Sequence, residues 1–268
     1  MWPEPLRLSR DFYAACMTAP GAKAARGLVP QDHATMRSHS EGVVLAVADG
    51  VTLVDGLASH AHVGAYLAAE LTAEGAMAAL RRGAGPCDTR AQACAALHHG
   101  LHGIWSELQR ETAARALATT IVLAVVTVTW TAIWCSGDGA WGIVAPAATV
   151  VRGDATRHPI GADFQAVAGE RLNETHVELA ALNARRGPTA AARDLRTMLY
   201  ADGPVLGAYV ATDGLRHEPP LAERLLRPFC GDPVMARALL TRPNDCDDLG
   251  VAWAAQRATC AEHAEAML

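Results

Sequence analysis

Three apolar runs of strand length that each stop on Asp-Gly limit what this 268-residue chain can fold into. The clearest covers residues 43–48 and closes on Asp49-Gly50; residues 206–212 close on Asp213-Gly214, and 131–137 on Asp138-Gly139. A short continuous apolar run reads as a strand buried on both faces. Asp-Gly at its end has two readings. It is a hairpin turn, because Gly supplies positive φ and Asp tolerates it, or it is a carboxylate held at a strand end for chemistry. A hairpin needs a return strand at once. Residues 140–145 provide one after Asp138-Gly139, which predicts a hairpin there. Asp49-Gly50 is followed by an irregular stretch and then a helical pattern, and Asp213-Gly214 by Pro219-Pro220, which exclude a paired central strand. At these two positions the presented carboxylate is favoured over the turn.

The rest of the chain supplies a framework for these ends. Residues 1–40 hold no long periodic segment, and 21–33 read as a polar, charged loop. Residues 61–82 read as a helix with Val63, Tyr66, Leu67 and Leu71 on one face, continued by Met77 and Leu80. A second helix over 89–115 carries Leu97, Leu101, Ile104, Trp105 and Leu108 at helical spacing. The period changes to strand type over 119–152, where breaks near Thr129, at Asp138-Gly139 and near Pro146 predict a meander of about four strands. Helices are expected over 189–200 and, from the Asp232-Pro233 cap, to about residue 240; a last strand over 249–254 and a short terminal helix follow. Strands and helices do not alternate. That order favours antiparallel sheets with helices on their outer faces, in a single domain over 1–268.

Composition excludes several functional classes. A net charge of -5 and a pI near 6.1 argue against a general nucleic-acid binder. Seven cysteines without a Cys-x-x-Cys pair make neither a disulfide framework nor a zinc site, which suits a reducing cytoplasm. Residues 1–5 lack the basic and apolar regions of a signal peptide. The longest apolar run, 121–135, is shorter than the ~20 residues of a membrane helix and is rich in β-branched residues, so it reads as sheet core rather than membrane.

Four acidic positions are adjacent to strands: Asp32, Asp49, Asp213 and the cluster that includes Asp245, Asp247 and Asp248. Brought together without a cation they would repel one another. Brought together around one they would suit a hard divalent metal, which takes oxygen ligands; dispersed, they are solvated turn residues. His98 and His102 stand four apart on the second helix, but no Glu lies between them in the zinc-protease pattern, so a solvated face is favoured. His60 and His62 are candidate proton donors. Cys135, Cys230 and the tryptophans at 105, 130, 134, 141 and 253 read as packing.

The ordered elements Gln31-Asp32, Val47-Ala48-Asp49-Gly50, Thr119-Thr120, Ser136-Gly137-Asp138, Ala211-Thr212-Asp213-Gly214 and Asp247-Asp248 resemble the metal-dependent serine/threonine protein phosphatases of type 2C. The resemblance runs from about residue 20 to 254, and Asn173-Glu174-Thr175 is similar to a motif of a bacterial branch. It implies an α+β fold: a four-layer α/β/β/α sandwich, two antiparallel sheets flanked by helices. It also implies two Mn²⁺ or Mg²⁺ ions. Asp49 would bridge both, Asp213 and Asp247 would complete one, and Asp32 with the Gly50 carbonyl the other. Asp138, with Asp213, would belong to a weaker third site. Asp49 and Asp213 are then the catalytic pair, and Arg26, with Lys23 as competitor, would orient the phosphate. The implied reaction is in-line attack of a metal-bridged hydroxide on a phosphoserine or phosphothreonine ester. Alternatives are a catalytically silent binding module and a phosphatase of a small phosphorylated metabolite. The chain departs from the family after Gly50, where residues 51–60 replace a glycine-rich turn, at Gly139, where a serine is usual, and at Asp248, where an asparagine is usual.

Overall fold

The computed structural model describes residues 11–22, 29–50, 60–107, 116–117, 119–146, 150–155, 195–217 and 247–257. Among the described residues, ten strands form two antiparallel five-stranded sheets. In chain order they are β1 (Phe12–Ala19), β2 (Asp32–His39), β3 (Gly42–Asp49), β4 (Ile121–Thr127), β5 (Trp130–Ser136), β6 (Gly139–Val144), β7 (Val150–Ala155), β8 (Arg196–Asp202), β9 (Gly207–Ala211) and β10 (Leu249–Gln256). The first sheet has the order β1-β10-β9-β6-β7 and the second β2-β3-β4-β5-β8. Helices α1 (Ala61–Leu80) and α2 (Pro86–Glu107) lie between β3 and β4 in the chain. The protein is thus an α+β sandwich of antiparallel sheets with helices, as the resemblance implied.

The period-2 geometry of the strands divides the core into layers. Val43, Leu45 and Val47 of β3 meet Ala208 and Val210 of β9 and Ala252 of β10 between the sheets. The alternate residues Val44, Ala46 and Ala48 face α1 and α2 in a second cluster with Ala69, Met77 and Leu97. β3 and β4 are therefore buried on both faces, which is why their sequences are apolar without a period. A third buried cluster, including Tyr209, Val251 and Trp253, covers the far face of the first sheet.

Several expectations need correction. Residues 1–40, where no long periodic segment was read, contain β1 and β2. β1 opens on the adjacent aromatics Phe12 and Tyr13 and continues in Ala, Cys, Met and Thr, and β2 alternates only over 33–37, with Ala34 and Met36 turned to the core, so the signal in each is short; pairing with β10 and β3 holds them. Residues 196–200, read as the end of a helix, are in β8, an edge strand paired with β5. The α1 face was also misassigned. Val63 and Tyr66 are 37% and 52% exposed, while the buried face is Ala61, Gly64, Ala65, Ala68, Ala69, Thr72, Ala73 and Ala76, with Met77 and Leu80. Small residues win because the backbones pack closely: a Cβ on Gly64 would stand 2.7 Å from the Ala116 carbonyl, and one on Gly75 2.8 Å from that of Gln92.

The predicted hairpin at Asp138-Gly139 does not form. β5 pairs with β4 and β8, whereas β6 pairs with β7 and β9, so residues 136–139 carry the chain from one sheet to the other. Gly137 (φ 89°) and Gly139 (φ 152°) make this passage, and a Cβ on Gly137 would stand 2.7 Å from Thr120 Cβ. The four strands over 119–152 are present, as two hairpins in different sheets. β10 matches the expected last strand. The helices read at 232–240 and at the C-terminus lie outside the described residues. Cys135, Trp130, Trp134, Trp141 and Trp253 are buried as expected; Cys230 and the side chain of Trp105 fall outside the description.

Candidate functional site

Antiparallel pairing sends alternate strands to opposite edges, so the end of β3 and the start of β2 coincide. Asp32 and Asp49 are direct Cα partners in that ladder, both on the side that faces the other sheet. Gly50 continues the pairing: its amide donates to the Gln31 carbonyl at 3.1 Å, and it bridges to Thr119. No side chain larger than hydrogen fits at Gly50, because a Cβ would lie 2.6 Å from the Ala61 backbone at the start of α1.

Asp49 is fixed from the neighbouring strand. Its carbonyl accepts the Thr119 hydroxyl at 2.8 Å and the Thr120 amide at 2.8 Å, and its amide donates to the Thr120 hydroxyl at 3.1 Å. The Thr119-Thr120 pair, noted in the sequence only as a strand opening, is the backbone clamp on this carboxylate.

Asp32 is held from the other sheet. The Thr212 hydroxyl donates to its Oδ2, and the Gly250 amide donates to the same oxygen at 3.2 Å. Thr212 in turn accepts from the Gly250 amide at 2.9 Å. Thr212 was not singled out in the sequence; a polar residue closing an apolar strand directly before an Asp was the available signal. Asp32 is 7% exposed. Burial pushes its carboxyl up to about 6, against the lowering effect of hydrogen bonds with Asp49 and Thr212; the charges of Asp248 and Asp213 push it further up.

The strand pairings carry the other predicted acids to the same edge. β9 leads directly into a 3₁₀ turn over Asp213–His217, so Asp213 leaves the sheet without a return strand, as expected. The Ala140↔Ala211 pairing carries Asp138 and Asp213 to the same end of the β6–β9 ladder. Asp247 and Asp248 immediately precede β10; Asp247 is exposed and Asp248 fully buried. The Asp248 amide donates to Asp247 Oδ1 at 2.9 Å. Arg26 and Lys23 lie outside the described residues, as do residues 51–59 and Asn173-Glu174-Thr175.

The donor chemistry suits a hard divalent ion. Two facing carboxylates, one of them buried, offer the oxygen donors such an ion takes, and Mg²⁺ is often held by one or two carboxylates and several waters. Among the described residues, no three His, Cys, Asp or Glu side chains are grouped so as to hold an ion. The fold therefore presents the Asp32–Asp49 pair with further acids around it, and no complete protein shell.

His33 faces α1, where its Nε2 lies 3.1 Å from Glu70 Oε1, and Arg37 from the same strand bonds the other Glu70 oxygen. His60 precedes α1 and His62 is in its first turn. His98 and His102 are on α2. No helix among the described residues is long and apolar enough to cross a membrane.

Comparison with known proteins agrees with the fold. The family model for protein phosphatase 2C matches residues 21–230. The catalytic domain of the serine/threonine protein phosphatase PstP in complex with two manganese ions superposes with a TM-score of 0.55 at 17% identity, covering 92% of this chain and 98% of that one. RsbX in complex with magnesium gives 0.54 at 11%, covering 92% and 96%. A serine-threonine phosphatase 2C from Toxoplasma gondii gives 0.52 at 12%, covering 96% and 98%. No curated protein sequence matches this chain.

Proposed function

The chain belongs to the protein phosphatase 2C family, and on that premise we propose that it is a cytoplasmic, Mn²⁺- or Mg²⁺-dependent phosphomonoesterase acting on phosphoserine and phosphothreonine of a protein. The observation that carries this reading is the Asp32–Asp49 pair facing the gap between the sheets, with Asp213 and Asp248 close enough to act on Asp32 electrostatically. Divalent ions there would supply an acidified water and neutralise charge on the phosphoryl oxygens. Asp49, clamped through its backbone by Thr119 and Thr120, and Asp32, Asp213, Asp247 and the Gly50 carbonyl would hold two such ions; Asp138 with Asp213 would serve a third. Asp49 and Asp213 are the residues on which turnover depends most. Arg26 would orient the phosphate.

A phosphopeptide assay with and without Mn²⁺, on the wild type and on Asp49→Asn and Asp213→Asn, tests the reading. Metal-dependent turnover that falls by about 10³-fold or more in Asp49→Asn is expected. Activity without metal, or full activity in both variants, overturns it.

A second reading, a catalytically silent phosphatase-like binding module, draws on one observation: among the described residues no group of three potential ligand side chains is arranged to hold an ion. Mn²⁺ calorimetry separates the two, since a silent module with a closed site takes up no metal. A panel of phosphorylated small molecules beside the phosphopeptide separates protein from metabolite phosphatase.

A further inference from the structure

Asp248 has no exposed surface, yet it is a carboxylate. Both of its oxygens are occupied by backbone amides remote in the chain: Oδ1 accepts the Gly21 N–H at 2.7 Å, and Oδ2 the Gln31 N–H at 2.9 Å. Gly21 lies two residues beyond β1, and Gln31 directly precedes Asp32 and β2. One side chain at the start of β10, in the first sheet, thus grips the entry to β2, in the second. The grip extends further, because the Gln31 carbonyl accepts the Gly50 amide at 3.1 Å. The backbone around Asp248 is equally confined. A Cβ on Gly214 would stand 2.1 Å from the Asp248 carbonyl oxygen, so this approach requires glycine after Asp213.

Two converging N–H donors need two acceptors. The carboxylate offers them, one oxygen to each amide. Removing the carboxylate altogether leaves both the Gly21 and the Gln31 N–H buried without this partner.

We infer that Asp248 is a positioning residue: by holding the Gly21 and Gln31 amides it fixes both ends of the segment 22–30 and sets Asp32 and Gly50 against Asp247 across the gap between the sheets. It acts through Gln31 and its backbone, and a cation bound at this edge is affected only by way of the residues it places. The consequence for metal affinity rests on the phosphatase reading; the anchoring of the two amides does not.

The experiment uses the full chain. Asp248→Ala removes both acceptors, and Leu97→Ala, in the buried face of α2, serves as a control for lost stability alone. In Mn²⁺ calorimetry Asp248→Ala is expected to bind about 10- to 100-fold more weakly than the wild type, while Leu97→Ala stays within about twofold even where its melting temperature falls as far. Equal Mn²⁺ affinity of Asp248→Ala and wild type overturns the inference, as does equal loss in both variants. Should Asp248→Ala not fold, amide exchange of the wild type decides. Gly21 and Gln31 amides that are protected together support the anchor, and exchange of either at the rate of an exposed amide overturns it. A wild-type chain that takes up no Mn²⁺ refutes the metal-dependent reading, and the exchange result still decides on the anchor.

Discussion

Asp32 and Asp49 stand directly opposite each other in the β2–β3 ladder, with their side chains hydrogen-bonded on the face turned to the other sheet. Two carboxylates in this relation cannot both ionise cheaply without a cation. The pair therefore stores an electrostatic cost in the metal-free protein, and that cost is measurable.

The sign follows from Asp32. Its pKa rises from 3.8 to about 6 on folding, chiefly through burial. Below pH 4 both states hold the proton and there is no penalty. Between pH 4 and 6 the unfolded chain releases its proton first, so stability falls, and above pH 6 the full penalty, roughly 3 kcal/mol, is present. In EDTA, Asp32→Asn should thus be more stable than the wild type at pH 7, and the difference should shrink toward pH 4. Thermal melts of both proteins across this range check it; a difference independent of pH contradicts the assignment.

A divalent ion should reverse that penalty. Excess Mn²⁺ at pH 7 is expected to raise the wild-type melting temperature, by roughly 3 kcal/mol of stabilisation at 100 times the dissociation constant. Asp49→Asn should lose most of this shift, and calcium-free, EDTA-treated samples should show none. Differential scanning fluorimetry with a Mn²⁺ titration is sufficient.

The passage between the sheets is tied to the site through Thr120. Gly137 has φ 89°, and a Cβ there would press on Thr120, whose hydroxyl holds the Asp49 amide. Gly137→Ala is expected to cost roughly 1–3 kcal/mol. Thr120→Val, which removes only the acceptor, should cost about 1–2 kcal/mol. Urea midpoints of both variants test the magnitudes, and Thr120→Val should lower turnover more than a core substitution of equal cost.

On the helix side, Glu70 receives His33 and Arg37 from β2. Burial would raise its pKa, but hydrogen bonds with His33, Thr35 and Arg37, and the Arg37 charge, outweigh this and hold it below 4.5. Its contribution is present above that value and is lost as pH falls through the folded pKa. Because the group is partly solvated, Glu70→Gln should cost no more than about 1 kcal/mol at pH 7. Chemical denaturation over a pH series from 7 downward should show the loss largest at pH 7 and shrinking as the carboxylate is protonated.

Much of the site was legible because its acids close apolar strands. Val43 to Asp49 announces itself: β3 is buried on both faces, so every residue before the carboxylate must be apolar. The same holds for Asp213 after β9. β1 and β2 were hard to read because each turns only a short apolar set to the core, Phe12 and Ala14 in one and Ala34 and Met36 in the other, among polar neighbours such as Thr35 and Arg37 whose role depends on the element opposite. The α1 face was misread for a related reason. Hydrophobic size pointed to Val63 and Tyr66, while close packing selected alanine and glycine. Ser136 to Gly139 reads locally as a hairpin, and nothing local distinguishes a turn back from a step across to the other sheet. Asp248 could be placed beside Asp247, but its two amide partners, 217 and 227 residues away, could not be read from spacing.

That last distance bears on how the protein comes into being. β2, β3 and β4 form a ladder in which Asp32 and Asp49 meet within a single hairpin, whereas Asp213 and Asp248 arrive with β9 and β10, the last strands described. Contacts of long sequence separation close late, because loop entropy must be overcome first. During synthesis the early acids are thus paired with each other alone, and the full set of carboxylates assembles only when β10 is seated between β1 and β9. A chain interrupted before that strand would still carry the facing Asp32 and Asp49 but lack the Asp248 carboxylate that holds the Gly21 and Gln31 amides.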